Sequence, residues 1–165
     1  DTEWQRQEQM VKLNILSLMH LTHLFGNDMR RRGEGKILNV ASIAAFMAGP
    51  YMSVYYASKA FVLSFSQAIG AELRPYGVTV TALCPGPTTT GFEAAANLEN
   101  SRMFKLFKPA EASAVARTGY AAMMKGKTVA FQDFVTHSTT VLSRVFPRCV
   151  STAVAKYVNS PAKAK

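Results

Sequence analysis

The sequence predicts an α/β fold built on a short parallel sheet, and three observations carry that expectation. Long stretches of helical periodicity alternate with short apolar runs, and glycine and proline punctuate the junctions. The order helix, strand, helix, strand is the rhythm of right-handed crossover units. The runs are nearly continuous in apolar residues rather than alternating, as befits strands buried on both faces.

Met10, Leu13, Ser17, Leu21 and Leu24 recur at three and four residues, and Thr2 and Gln5 stand at capping-box spacing, which predicts a helix from about residue 2 to 31. Arg30, Arg31 and Arg32 complement the negative end of its dipole and read as a solvated helix terminus. Gly33 and Gly35 break the helix, and Lys36 to Ser42 reads as a short buried strand. After a loop, Val54 to Leu73 forms a second long helix closed by Pro75-Tyr76-Gly77. Val78 to Cys84 is the next strand, ended by Pro85-Gly86. Thr88 to Lys108 is irregular, with Phe92, Phe104, Leu106 and Phe107 among small and polar residues, a candidate lid. Pro109 to Met124 is helical by composition and Thr128 to Phe131 a weak last strand. Phe134 to Val158 is a helical tail broken at Pro147, and the chain frays beyond Ser160. The whole reads as one domain, 1–165, with 134–165 as its C-terminal tail.

A chain of 165 residues, 48% hydrophobic, has enough apolar content for a real core. Its net charge of +9 would attract anions, but the cations are scattered and not interleaved with aromatics, so nucleic acid is not the expected partner. Cys84 and Cys149 lack Cys-x-x-Cys spacing, and His20, His23 and His137 lack metal-ligand spacing; no disulfide framework or metal site is predicted. A reducing, cytoplasmic setting suits both thiols. No apolar stretch approaches the roughly 18 residues that would cross a bilayer. The chain opens on polar, acidic residues without a starting Met, which suggests that the beginning of a longer protein is missing.

Ser42, Tyr55 and Lys59 form the chemically informative set. Tyr55 and Lys59 are four apart on a predicted helix and leave the same face, whereas Tyr56 does not share it. A phenol that titrates near 10 must be lowered by about 3 units, roughly 4 kcal/mol, to act as a base near neutrality. An ammonium within about 4–6 Å favours the phenolate, so Lys59 is expected to tune Tyr55. Ser42 lies at the carboxyl end of a strand, where open α/β sheets place their ligand crevice, and its hydroxyl is placed to hold a substrate oxygen. Such a set polarises and protonates a carbonyl oxygen. No side chain delivers hydride, so this chemistry implies a nicotinamide cofactor.

With those residues in view, the sequence resembles the short-chain dehydrogenase/reductase family. Ser42, the Tyr55-Tyr56-Ala57-Ser58-Lys59 block, Asn14 in the preceding long helix, and Cys84-Pro85-Gly86-Pro87-Thr88-Thr89-Thr90 fall in the family's order across nearly the whole chain. The resemblance implies a partial Rossmann-like, doubly wound parallel sheet of about three strands with flanking helices. It also implies catalytic roles: Tyr55 as acid/base, Lys59 lowering its pKa and binding the nicotinamide ribose, Ser42 orienting substrate and Asn14 holding a relay water. Pro85, Gly86, Thr88 and Thr90 would meet the cofactor, NAD or NADP. The family's glycine-rich phosphate turn has no counterpart here, so the catalytic portion is expected to expose an unpaired strand edge and, without that turn, to bind dinucleotide poorly.

Two functions follow as expectations: an oxidoreductase, or its catalytic half, acting on a carbonyl/alcohol pair, and a non-catalytic module that pairs with its own copy. The resemblance implies homo-oligomers through the two long helices. Phe46, Met47 and Met52 read as packing residues that, with Phe92 and Phe107, would also line an apolar pocket for a hydrophobic substrate. In the tail, Val141, Leu142, Val145 and Phe146 beside Arg144 and Arg148 mix apolar and basic character. A helix packed on the sheet or over the cleft is favoured there over one lying on a membrane.

Overall fold

A computed structural model describes residues 3–90, 102 and 109–160. Along the chain the strands are β1 (Gly35–Val40), β2 (Val78–Cys84), β3 (Thr88–Thr89), β4 (Ala110–Glu111) and β5 (Val129–Phe131). The main sheet has the order β1-β2-β5 with both pairings parallel, Ile37 beside Val80 and Leu83 beside Ala130. Parallel neighbours require crossovers, and long helices supply them: α3 (Ser53–Leu73) joins β1 to β2, and α4 (Ala112–Met124) precedes β5. The preceding helical run is α1 (Trp4–Val11), a π-helical turn (Lys12–Ser17) and α2 (Leu18–Arg32). The tail is α5 (Phe134–Val145) and α6 (Arg148–Asn159).

The alternation of β2 distributes the core. Ala82 and Cys84 pack with Val62 and Leu63 of α3, whereas Leu83 packs with Val115 and Ala122 of α4. Helices therefore cover both faces of the sheet, the doubly wound arrangement that the sequence implies. Val62, wholly excluded from solvent, contributes about 1.5–3 kcal/mol by its burial. Gly77 turns the chain from α3 into β2 at φ 75°, and a Cβ there would fall on the Gly33 carbonyl oxygen.

Among the described residues, β1 has a strand partner on one side only, so its outer edge is open. Val40 is half exposed there, and a groove of about 530 Å3 runs beside the edge, lined by Leu13, Leu18, Leu21 and Phe25 from the helical run.

The first helix and the two main strands lie where the periodicity puts them; two local features differ. The helical run contains the π turn, which repeats of three and four cannot reveal over six residues. Residues 110 and 111, read as helix, instead pair with Thr88 and Thr89, and α4 begins at Ala112. Glu3 caps α1 without a side-chain bond; Thr2, with the expected capping box, lies outside the described residues. So do 91–101 and 103–108, which hold most of the candidate lid, including Phe92 and Phe107.

The tail breaks at Pro147, as expected, but does not pack with its apolar side. Its buried positions are Thr136, Thr140, Ala155 and Asn159, while Phe134, Leu142 and Val145 are exposed.

Candidate active site

Beyond β1 the chain continues to pair: Ala41 N donates to the Leu83 carbonyl at 2.8 Å, and Ile43 N donates to the Pro85 carbonyl at 3.0 Å. Ser42 is thereby fixed at the carboxyl end of the sheet, nearly buried, as N-cap of a 3-10 turn (Ile43–Phe46). Its Oγ accepts from Ala44 N at 3.1 Å, the usual work of a capping serine. The same hydroxyl is hydrogen-bonded to the Tyr55 phenol. The sequence-predicted pair thus meets across the loop joining β1 to α3.

Lys59 lies one turn along α3. Its Nζ is 5.8 Å from the centre of the Tyr55 ring and donates to the Val40 carbonyl at 3.0 Å. Burial lowers the pKa of this ammonium, and the Cys84 sulfur opposes the shift. Burial also raises Tyr55; the Ser42 hydrogen bond works the other way, and neighbouring Tyr56 adds to the rise. This corrects the expectation that Lys59 depresses the phenol. Desolvation is the largest influence on the phenol, and the ammonium, 5.8 Å from the ring centre, is engaged with the Val40 carbonyl.

Asn14 stands in the π turn, a helical form often found at functional positions. Its Nδ2 donates to Ser58 Oγ at 3.0 Å, and Ser58 Oγ donates to the Tyr55 carbonyl at 2.7 Å. Asn14 therefore reaches the helix of Tyr55 through Ser58, not Lys59 directly. Ser58, 1% exposed, is the residue that sequence reasoning left without a role; the available signal was its place in the Tyr55–Lys59 block, one residue before Lys59.

At the end of β2, the Pro85 carbonyl receives Ile43 N and, at 3.5 Å, the Ser42 hydroxyl. Thr88 Oγ1 donates to the Gly86 carbonyl at 3.0 Å and closes that turn, while Thr90 is exposed. Gly86 faces Gln132, whose Oε1 is buried and unpartnered. A buried acceptor without a donor suits a carboxamide NH2, and Lys59 keeps two of its three N–H groups beyond the Val40 bond for sugar hydroxyls. These residues fit the nicotinamide end of a dinucleotide. The sequence supplies no glycine-rich turn to hold the phosphates. Among the described residues no three His, Cys, Asp or Glu side chains converge to hold a metal.

The Tyr56 ring meets the Tyr55 ring edge to face, 6.0 Å between centroids, but its hydroxyl serves other partners. It lines, with Phe46, Met47 and Phe146, a groove of about 820 Å3 that includes Ala57 and Ala60. Phe46 and Met47 thus border an open groove, while Phe92 and Phe107, expected to complete an apolar pocket with them, lie outside the described residues. Tyr56 OH donates to Asn159 Oδ1 at 3.1 Å, and Asn159 Nδ2 donates to the Pro50 carbonyl at 3.0 Å. The next residue, Tyr51, holds a left-handed φ of 69°, a conformation costing of order 1–3 kcal/mol for a bulky side chain. One asparagine of α6 therefore clasps both the start of α3 and its strained lead-in. Tyr56→Phe leaves the Asn159 amide oxygen buried and unpaired, an expected loss of about 1–3 kcal/mol. Hydrogen exchange checks this: α6 amides should exchange faster in the variant while the β2 amides keep their protection.

A parallel sheet with helices on both faces, carrying a serine, a tyrosine and a lysine at its carboxyl end, defines the class as a nucleotide-type α/β fold. A family model described as short chain dehydrogenase matches residues 1–101, and the chain belongs to that family. It is 34% identical over 121 residues to the short-chain reductase protein NovJ of Streptomyces niveus, covering 72% of this chain and 45% of NovJ. It is 39% identical over 83 residues to 17-beta-hydroxysteroid dehydrogenase type 3 of Mus musculus, covering 50% of this chain and 27% of that protein. The fold matches a short-chain dehydrogenase from Sphingobium yanoikuyae solved in complex with NADPH, with a TM-score of 0.72 at 22% identity, over 88% of this chain and 59% of that one. The chain thus spans less than half the length of these two curated relatives.

Proposed function

We propose that this chain carries the proton-transfer portion of a nicotinamide-dependent oxidoreductase that interconverts a carbonyl and an alcohol. The observation that carries the reading is the hydrogen bond between Ser42 and Tyr55 at the carboxyl end of the sheet, with Lys59 one turn away. Tyr55, held protonated by burial, donates its proton to a carbonyl oxygen. Ser42 holds that oxygen by its hydroxyl, and Lys59 positions a sugar hydroxyl beside the phenol. The cofactor, NAD or NADP, supplies the hydride. Asn14 acts through Ser58, fixing the backbone carbonyl of Tyr55 and hence the register of the phenol. Pro85, Gly86, Thr88 and Thr90 form the wall beside the nicotinamide, with Gln132 as an additional acceptor for its carboxamide. The reductase and hydroxysteroid dehydrogenase names of the relatives favour a small, largely apolar carbonyl substrate, and a cytoplasmic setting suits the two free thiols.

A second reading, a module that pairs with its own copy, is favoured by the exposed Leu13, Leu16, Leu21, Leu24 and Phe25 of the first helical run. One experiment separates the two. The chain is compared with a longer polypeptide that joins it to a glycine-rich nucleotide-binding half, by NADPH calorimetry and by carbonyl-dependent NADPH oxidation. The oxidoreductase reading expects turnover from the longer polypeptide, with little cofactor affinity in the chain on its own. Turnover from neither, together with a stable dimer in sedimentation, overturns it in favour of the module.

A further inference from the structure

We propose that the outward face of α5 and α6 rests on an anionic lipid surface. A surface helix ordinarily buries its apolar side and shows its polar side to water. α5 does the reverse. Its Thr136 and Thr140 are 8% and 1% exposed, whereas Phe134, Val135, Leu142 and Val145 are 81%, 67%, 56% and 76% exposed. Val135, Leu142 and Val145, spaced by seven and three, share one stripe. α6 continues the pattern with Val150, Val154 and Tyr157 at intervals of four and three, each about half exposed.

The inward polar groups of α5 are satisfied locally, so the inversion is not an unmet demand for a polar partner. Thr140 Oγ1 donates to the His137 carbonyl at 2.7 Å, and Thr136 N donates to Asp133, the N-cap, at 2.7 Å. What lacks a partner is the outer apolar surface, larger than the scattered apolar residues that a soluble surface ordinarily shows.

Charge selects the occupant. From Phe134 to Lys165 the sequence has no Asp or Glu and five cations, Arg144, Arg148, Lys156, Lys163 and Lys165. Arg148 and Lys156 are exposed, and Arg102 stacks over the Tyr157 ring at 4.4 Å, adding another cation to α6. Asp133 is an exposed acid at the N-cap of α5, but cations predominate beyond it, so a second copy of the chain would bring a mainly cationic face against itself. An anionic bilayer interface offers hydrocarbon to the stripe and phosphate to the cations together. Each helix has 12 residues, and among the described residues none is long and apolar enough to cross a membrane, so the pair lies in the interface plane. The inference is independent of the catalytic reading.

The test is co-sedimentation of the chain with vesicles of phosphatidylcholine, or of phosphatidylcholine mixed with phosphatidylserine, at low and high salt. Binding to the anionic vesicles is expected, weakened by salt and by omission of phosphatidylserine. Arg148→Gln with Lys156→Gln should weaken it about 25-fold, about fivefold for each cation near the surface. Leu142→Ser with Val145→Ser should abolish it with circular dichroism and melting temperature unchanged, both positions being exposed. Three results would overturn the proposal: no binding to anionic vesicles at low salt, equal binding to both vesicle types, or a dimer dissolved by the serine pair in a chain that ignores vesicles.

Discussion

Tyr55→Phe, made in a polypeptide that joins this chain to a nucleotide-binding half, is expected to lower kcat for carbonyl reduction by about 100- to 10,000-fold, the range that a positioned proton donor supplies. Cofactor affinity should hold, because Phe preserves the ring and removes only the hydroxyl bonded to Ser42. Tyr56→Phe is the informative control: its hydroxyl serves Asn159 rather than Ser42, so it should cost stability and leave kcat within a few-fold. Loss of turnover of the same size from both substitutions would mean that the ring face, not the Ser42 contact, was misjudged. The pH dependence separates the roles further. Burial holds the Tyr55 phenol protonated beyond its ordinary range, so reduction should be flat through neutrality and fall only in alkali. Alcohol oxidation, which needs the phenolate, should rise with pH across the same span. Lys59→Met should move that rise to still higher pH if the ammonium favours the phenolate once a ribose bridges the two. An unmoved profile would leave Lys59 as a cofactor ligand alone.

The residues legible in the sequence are those whose geometry is local. Tyr55 and Lys59 share a face because four positions make about one turn, and Ser42 follows a strand whose apolar run announces it. Residues whose partners lie far along the chain were not legible. Asn159 meets Tyr56 across 103 positions, and Asn14 meets Ser58 across 44; no periodicity encodes either. The β3–β4 pairing escaped because two-residue strands carry no alternation to read. In the tail, periodicity gave the helices but not their sense, since an apolar stripe marks a face without saying whether protein covers it. The direction of the Tyr55 shift needed burial as well as spacing: counting residues from Lys59 gives a cation nearby and says nothing of the desolvation that is the largest influence on the phenol.

The same burial makes the fold sensitive to alkali, and Cys84 dominates that sensitivity. At the end of β2, completely excluded from solvent, its thiol is pushed up to about 12 from an ordinary 9.0, with Ser42 and Lys59 opposing part of the rise. The unfolded chain therefore releases this proton first as pH rises. The thiol's contribution is fully present below pH 9.0 and is lost between there and about 12, roughly 4 kcal/mol for about three units. Tyr55 and Tyr56, both raised by burial, add losses of the same sign above 10.0. Lys59 works against them: its lowered pKa lets the native state shed a proton first, so stability rises until the unfolded lysine titrates at 10.5. Urea melts between pH 7.5 and 10.5 should show declining stability, and Cys84→Ala should flatten the decline by about 2 kcal/mol at the upper end. Cys149→Ala, at an exposed thiol, should leave the curve where it was. If the two alanine variants decline in parallel with the parent, the alkaline loss does not arise at Cys84, and the thiol must have access to solvent that the packing against Val62 and Leu63 denies it.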